Sequence, residues 1–189
     1  MGTEMIKELL RDVESSMRKT VEVLETTLRT IRTGRASPAL VDRVMVEYYG
    51  TPTSLKQLAV ISAPEPQLLT IRPYDPGSLA DIERAIQKSE LGLTPSNDGR
   101  IIRLPIPRLT EERRKEMAKL VRQRVEEGKV AVRNVRRQTL DDLREFEKEK
   151  LIPEDDFFRG KDDVQELTNR FVKQMDEVSA RKQREIMEG

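Results

Sequence analysis

The chain of 189 residues contains no histidine, no cysteine and no tryptophan. Without imidazole or thiol groups it cannot build a Ser-His-Asp or Cys-His arrangement, a disulfide, or a zinc site of the common types. Glycine-rich phosphate loops are also missing, since Thr33-Gly34-Arg35 is too short and wrongly spaced for one. The carboxylates lie among lysines and arginines on predicted helical faces, where solvation accounts for them. The sequence therefore predicts a protein that is not an enzyme and holds no cofactor or metal.

Long apolar runs are absent as well. No stretch has the roughly twenty consecutive apolar residues of a membrane span, and the first residues do not show the pattern of a signal peptide. Aromatic residues make up only 4% of the chain, whereas charged residues make up 37%. Such a composition is typical of long helices with narrow apolar faces rather than of a broad globular core. We expect a cytoplasmic protein with no membrane contact.

Three segments place apolar residues at steps of three and four, which is the period of an amphipathic helix. The longest runs from Thr110, a predicted N-cap, to about Lys150, and forty residues at about 1.5 Å each make a rod of about 60 Å. The first segment covers residues 4–31, and the third begins near Pro153. One such helix cannot bury its apolar face alone, so we predict a monomeric, elongated, antiparallel three-helix bundle.

Between the first and second helices the apolar period changes from helical to two, which indicates strands. The predicted strands cover residues 44–49, 58–63, 68–73 and 100–104. Ser78, with Asp81 three residues on, predicts the capped start of a helix between them. Gly50-Thr51-Pro52 and Asn97-Asp98-Gly99 predict turns. These elements amount to a small β/α/β unit with its own core.

The fold class is therefore α+β, a helical bundle interrupted by a small α+β domain. Residues 1–33 and 108–189 are assigned to the bundle, and residues 34–107 to the inserted domain. We expect a hinge where the chain crosses between them, near Gly34 and near Pro105-Ile106-Pro107. Gly34 is predicted to cap the first helix and to leave its crossing flexible, while the prolines restrict the other.

Positive charge is concentrated on the long helix. Residues 113–137 hold ten basic and three acidic residues, a net charge of +7, while the whole chain carries +1. Lys129, Arg133 and Arg136 each follow an apolar position by one residue, which predicts an outward-facing stripe beside the packing face. The window contains no aromatic ring, so it favours the phosphates and shape of folded RNA over stacking on single-stranded bases. A solvated coiled-coil face is the alternative interpretation.

Five short segments follow one another in a characteristic order. They are 31–38 (IRTGRASP), 46–52 (VEYYGTP), 91–95 (LGLTP), 109–115 (LTEERRK) and 130–137 (VAVRNVRR). Together they resemble the bacterial ribosome recycling factor family over essentially the whole chain. The resemblance implies an L-shaped protein with the dimensions of a transfer RNA. It also implies that the helical arm lies on the large ribosomal subunit across the transfer-RNA sites, while the other domain meets elongation factor G.

In that family the GTPase then splits the ribosome after termination and frees the messenger RNA, and the recycling factor itself breaks no covalent bond. The positions that the resemblance assigns to ribosomal RNA are Arg32, Arg35, Arg114, Arg133, Arg136 and Arg137. Lys129 joins them as a member of the charged stripe. Two other readings remain open: a coiled-coil scaffold, which should expose a leftover apolar stripe, and a general binder of structured RNA.

Overall fold

The computed structural model describes residues 2–188, which form five α-helices, two short 3-10 turns and six strands in two antiparallel sheets. The helices are α1 (Gly2–Arg29), α2 (Leu55–Leu58), α3 (Leu79–Lys88), α4 (Glu111–Lys148) and α5 (Glu154–Glu188). The strands are β1 (Met45–Tyr48), β2 (Thr51–Ser54), β3 (Ala59–Glu65), β4 (Leu68–Pro73), β5 (Ser96–Asn97) and β6 (Ile102–Pro105). The predicted α+β class is confirmed.

Contacts divide the chain into two compact units. The helical unit joins the described residues up to Leu28 to Ala118–Arg184, and the mixed unit joins Arg29–Met117 to the described residues from Glu185. The domain boundaries expected from the sequence, at 33/34 and 107/108, stay a prediction. Within residues 2–188 there is no helix with both the length and the apolar character needed to cross a membrane.

Two glycines show how α4 and α5 pack in the helical unit. A methyl group added at Gly128 of α4 would lie 3.4 Å from the Met175 Cε of α5 and 3.7 Å from Leu24 of α1. A methyl group added at Gly160 of α5 would lie 3.2 Å from both Leu143 methyls of α4. Later residues of α4 thus meet earlier residues of α5, so these two helices run antiparallel.

The first helix runs in the same direction as α5. Near the start of both helices, the Ile6 side chain lies 3.8 Å from the position that a Cβ of Gly160 would take. Further along, the Arg170 Nη2 donates to the Glu14 Oε1 at 2.5 Å. This hydrogen bond is the main reason why the pKa of Glu14 is lowered. The three helices therefore form the predicted antiparallel bundle.

The apolar face of α1 agrees with its sequence period, whereas that of α5 deviates in two places. The buried residues of α1 are Ile6, Val13, Met17, Val21, Leu24 and Leu28. On α5 the sequence places Leu167 and Val178 on the packing face, but Thr168 and Ser179 are the buried residues there. Thr168 can lie inside because its hydroxyl donates to the Val164 carbonyl at 2.8 Å, so burial leaves no polar atom unpaired.

The mixed unit is built around a four-stranded antiparallel sheet with the strand order β3-β4-β6-β5. Ile61 of β3 pairs with Ile71 of β4, and Leu69 of β4 pairs with Leu104 of β6. Apolar residues therefore face one another across both ladders that β4 makes. The fully buried residues of its core are Val41, Val46, Leu55, Leu69, Ile71, Ile82, Ile86, Ile102 and Leu104. They come from both sheets, from α2 and α3 and from the 3-10 turn Pro38–Val41, so this unit has a core of its own.

The smaller sheet is a hairpin that the sequence analysis missed in part. β1 turns into β2 through Tyr49 and Gly50, which have φ angles of 50° and 78°. Two consecutive positive φ angles are typical of the two-residue hairpin turn whose twist matches that of the strands. The predicted turn at Gly50-Thr51-Pro52 is wrong because Thr51 and Pro52 already belong to β2. Proline is tolerated there because β2 is an edge strand.

The start of α3 is held by a different residue from the one predicted. Asp75 accepts a hydrogen bond from the Gly77 amide at 2.9 Å, and the Ser78 hydroxyl donates back to the Asp75 carbonyl at 2.7 Å. Ser78 makes no side-chain cap, so the predicted capping box with Asp81 is wrong. The other oxygen of Asp75 accepts from the Tyr48 hydroxyl at 3.1 Å, which raises the pKa of Tyr48.

The turn predicted at Asn97-Asp98-Gly99 joins β5 to β6. The Asp98 carboxylate accepts from the amides of Ile101 at 2.9 Å and Arg100 at 3.0 Å, and Gly99 has a φ of 88°. These two amides, followed by the Arg103 guanidinium, hold the pKa of Asp98 well below its usual range. The ionised carboxylate therefore closes this loop.

Candidate nucleic-acid interface

The long basic helix begins where the sequence predicts. The Thr110 hydroxyl accepts a hydrogen bond from the Arg113 amide at 3.1 Å, so Thr110 is the N-cap of α4. Glu111 and Glu112 follow in the first turn, where negative charge favours the positive end of the helix dipole. The basic window of residues 113–137 is therefore carried on one uninterrupted helix.

Lys129 does not face outward as expected. Its side chain is only 19% exposed, and its ammonium lies 2.5 Å from the Asp176 carboxylate of α5. The linear charge count cannot identify this partner, because Asp176 lies 47 positions further along the chain and is brought close only by the bundle. Lys129 thus joins α4 to α5, and a role for it in binding RNA stays a prediction.

The other basic residues of the stripe are more available for binding a ligand than Lys129 is. Arg133 is 44% exposed at its side chain and pairs at 3.2 Å with Glu126, which is exposed as well. Arg136 is half-buried and donates to the Gln165 side chain at 3.4 Å. Arg137 is exposed, and its guanidinium has no hydrogen bond or ion pair within residues 2–188. One of the three acidic residues of the window thus compensates Arg133, but an exposed pair of this kind is weak.

Three further arginines assigned by the resemblance lie in the mixed unit. Arg32 and Arg35 follow the end of α1, which is at Arg29 and thus two residues earlier than expected. Neither Arg32 nor Arg35 forms a hydrogen bond or ion pair through its guanidinium in the described part of the chain. Arg114 is half-buried, and its Nε is enclosed without a hydrogen-bond partner. The guanidinium groups of Arg32 and Arg35 are therefore free for a ligand, whereas the Nε of Arg114 is unpaired but enclosed.

Gly34 does not cap α1, because it lies five residues beyond the last helical residue. It is buried, its φ is 79°, and a methyl group added to it would lie 3.0 Å from the Leu109 amide nitrogen and 3.6 Å from the Arg108 Cα. The segments around Gly34 and around Leu109 therefore touch at this point within the mixed unit, and the absence of a side chain is what lets them do so. Gly34 is therefore a tightly packed position.

The segments that follow Gly34 and Pro105 are also tied to the turn between β3 and β4. The Ala36 amide donates to the Pro66 carbonyl at 2.7 Å, and the Ile106 amide donates to the Gln67 carbonyl at 2.8 Å. Pro105 pairs within the sheet at the end of β6, and Pro107 follows it in the segment that leads to α4. A hinge at Gly34, Pro105 and Pro107 stays a prediction, and these bonds restrict where it can bend.

We expect Gly34→Ala to destabilise the mixed unit more than Gly92→Ala does. Both glycines have positive φ, 79° and 65°, so alanine carries backbone strain of roughly 1–3 kcal/mol at either position. Only at Gly34 does the added methyl meet backbone atoms, and overpacking adds about 1–3 kcal/mol. Urea unfolding of both variants measures the difference. If both variants lose the same free energy of unfolding, the Leu109 backbone moves to make room for the methyl group, and the close contact does not contribute to stability.

Comparison with known proteins assigns the chain to a family. Residues 24–187 match the family model of the ribosome recycling factor. The chain belongs to the ribosome recycling factor family. Relatives of the same name include one from Roseiflexus sp. (strain RS-1), 55% identical, and one from Halalkalibacterium halodurans, 54% identical. Each alignment covers 97% of this chain and 100% of the relative.

Two solved structures of ribosome recycling factors also match. A solution structure superposes with a TM-score of 0.80 at 38% identity and covers 97% of this chain and 98% of that one. The T. thermophilus factor, described with the E. coli elongation factor G bound to the E. coli post-termination complex, gives a TM-score of 0.69 at 45% identity. That match covers 96% of this chain and 98% of the other. Ribosome recycling factors are translation factors and not enzymes, as the sequence predicts.

The arginines assigned by the ribosome recycling factor resemblance are divided between the two units. Arg32, Arg35 and Arg114 belong to the mixed unit, and the stripe from Lys129 to Arg137 belongs to the helical unit. The sequence analysis missed Arg108, an exposed arginine with no partner among the described residues. Arg108 lies outside the basic window, and it is close to Gly34 only in the folded chain, so the sequence carries no signal for it.

Proposed function

We propose that this chain recycles ribosomes after translation termination. It binds the ribosomal RNA of the large subunit and, together with elongation factor G and GTP, promotes the separation of the subunits and release from messenger RNA. The observation that carries the proposal is the match over nearly the whole chain, at 55% identity, to ribosome recycling factors. The relative described with elongation factor G on a post-termination complex supports the choice of partners. The site of action is the cytoplasm.

The RNA-binding surface of the proposal comprises Arg32, Arg35, Arg114, Arg133, Arg136 and Arg137. Arginine suits this role because its planar fork donates two parallel hydrogen bonds to a phosphate. Arg137 on α4 and Arg32 and Arg35 after α1 have guanidinium groups without partners in the described chain. Lys129 contributes less, because its ammonium is already paired with Asp176.

A coiled-coil scaffold is the weaker interpretation. Such a protein keeps an apolar stripe free for partner helices, but the apolar faces of α1, α4 and α5 bury one another. Among the described residues, the exposed large apolar residues of these helices are Val23 of α1, Val130 of α4, and Phe158 and Met187 of α5, so no helix carries a row of them. Scattered apolar residues of this kind are normal on protein surfaces.

The proposal is tested with ribosomes stalled after termination on messenger RNA. We expect the protein, elongation factor G and GTP together to separate the subunits, as followed by light scattering and by sedimentation. Leaving out any one of the three should leave the ribosomes whole, because the chain has no catalytic group of its own and the GTPase supplies the energy. Intact ribosomes in the complete mixture, under conditions in which a known ribosome recycling factor splits them, would refute the function.

A further inference from the structure

A small cavity in the mixed unit collects four arginines. Its volume is about 200 Å³, and the guanidinium-bearing residues that line it are Arg32, Arg35, Arg108 and Arg113. We call these four residues and the cavity between them the arginine notch. Among the described residues, those that line the notch include no aspartate, no glutamate and no aromatic ring. Such a concave surface attracts an anion, because no side chain on its wall neutralises the positive charge.

Most of the positive charge in the notch is not paired with an acidic or hydrogen-bonding group among the described residues. The guanidinium groups of Arg32, Arg35 and Arg108 make no hydrogen bond or ion pair with any of residues 2–188. Arg113 is the exception, since its Nη1 lies 2.6 Å from the Glu116 carboxylate one turn along α4. Three unpaired cations around one cavity repel one another, and a bound anion would relieve that repulsion.

The backbone adds to the positive electrostatic potential of the notch. Thr110, the N-cap of α4, lines the notch, so the positive end of a helix of 38 residues opens at its rim. The close contact of Gly34 with the backbone of Arg108 and Leu109 fixes the two walls of the notch against each other. The backbone positions that carry Arg35 and Arg108 are therefore set before any ligand arrives, which lowers the entropic cost of binding.

We propose that the arginine notch seats a backbone phosphate of RNA, with Arg35 and Arg108 as its principal ligands. The inference rests on the proposed function and deepens it, since it adds Arg108 and a defined phosphate seat to the RNA-binding surface. RNA is favoured over an acidic protein segment because the proposed function already brings this chain onto ribosomal RNA, whose phosphates accept the two parallel hydrogen bonds of an arginine fork. The lack of aromatic rings fits a contact with the backbone rather than with a base.

The test uses the full chain with Arg35→Ala, Arg108→Ala and the double variant, and Arg72→Ala as matched control. Arg72 is an exposed arginine of β4 in the same unit, has no partner in the described chain and does not line the notch. Binding to isolated large ribosomal subunits is measured across a salt series. We expect Arg108→Ala to weaken binding roughly 5- to 10-fold at 0.1 M salt and to flatten the log–log slope by about 0.9, the loss of one phosphate contact.

Arg35→Ala should have a similar effect, and the double variant should lose little more than either single variant, because both ligands hold the same phosphate. Arg72→Ala should bind like the natural chain. If Arg108→Ala also binds like it with the same slope, the phosphate seat is wrong while the proposed function stands. If Arg108→Ala impairs only the GTPase-dependent splitting, the notch takes an acidic protein segment instead. If the natural chain itself fails to bind large subunits, both proposals fall.

Discussion

The variant Met17→Asp is expected to lose the helical bundle, whereas Val23→Asp is expected to keep it. Met17 is fully buried on the packing face of α1, and Val23 on the same helix is 64% exposed. An unpaired carboxylate in a protein interior costs several kcal/mol, and the loss of the methionine contacts costs about 2–5 kcal/mol. Since domains of this size are stable by only about 5–15 kcal/mol, this one change removes most of the margin.

Thermal melting followed by far-ultraviolet circular dichroism measures the effect. The mixed unit has its own buried core, so we expect Met17→Asp to melt in two steps, with the helical signal lost first and at least roughly 10 °C below the natural chain. Val23→Asp should melt with the natural chain. A single unshifted transition for Met17→Asp would mean that α4 and α5 hold together without α1, contrary to the bundle described above.

The second large effect concerns binding of RNA by α4. The double variant Arg133→Ala with Arg137→Ala is expected to bind large ribosomal subunits roughly 10- to 100-fold more weakly at 0.1 M salt and to flatten the log–log salt slope by roughly one to two units. Arg137 is unpaired in the described chain, and Arg133 gives up only its exposed pair with Glu126 when it meets a phosphate. Each contact would then release condensed counterions.

Two matched variants separate binding from folding. Arg144→Ala changes an exposed arginine of the same helix outside the basic window and should leave affinity and slope unchanged. Lys129→Ala removes the contact with Asp176 of α5, so it should lower the melting temperature slightly and affect binding less than the double variant. The double variant itself should melt normally, because alanine is the better helix former. An unchanged slope in the double variant would show that the stripe is only a solvated face.

The helices could be predicted from the sequence because their signals are long and redundant. The apolar period places α1 within two residues at each end, and Thr110 marks the start of α4 by a local hydrogen bond that any N-cap makes. The errors lie where short segments depend on backbone geometry. The hairpin turn requires a positive φ at Tyr49. Tyrosine seldom adopts a positive φ, so the residue type at this position did not predict the turn.

The candidate site was less predictable, because it depends on which segments meet. Counting charges along the chain locates the basic window, but it cannot show that Asp176 pairs with Lys129 or that Glu126 reaches Arg133. The arginine notch combines segments that are about seventy residues apart, near Gly34 and near Arg108. No periodic pattern connects those segments, so only the folded chain brings their guanidinium groups together.

The contact of Ile6 with Gly160 and the pair between Glu14 and Arg170 have a consequence for how the protein is made. The first helix is synthesised well before its partners in α5, so these contacts cannot form until α5 has left the ribosome. At about 5–20 residues per second, α1 waits roughly 8–30 s for Gly160 to be added. The mixed unit can complete its core during this time, while the apolar face of α1 stays uncovered. Every newly made copy therefore passes through a period in which its first helix is open to chaperones and to aggregation.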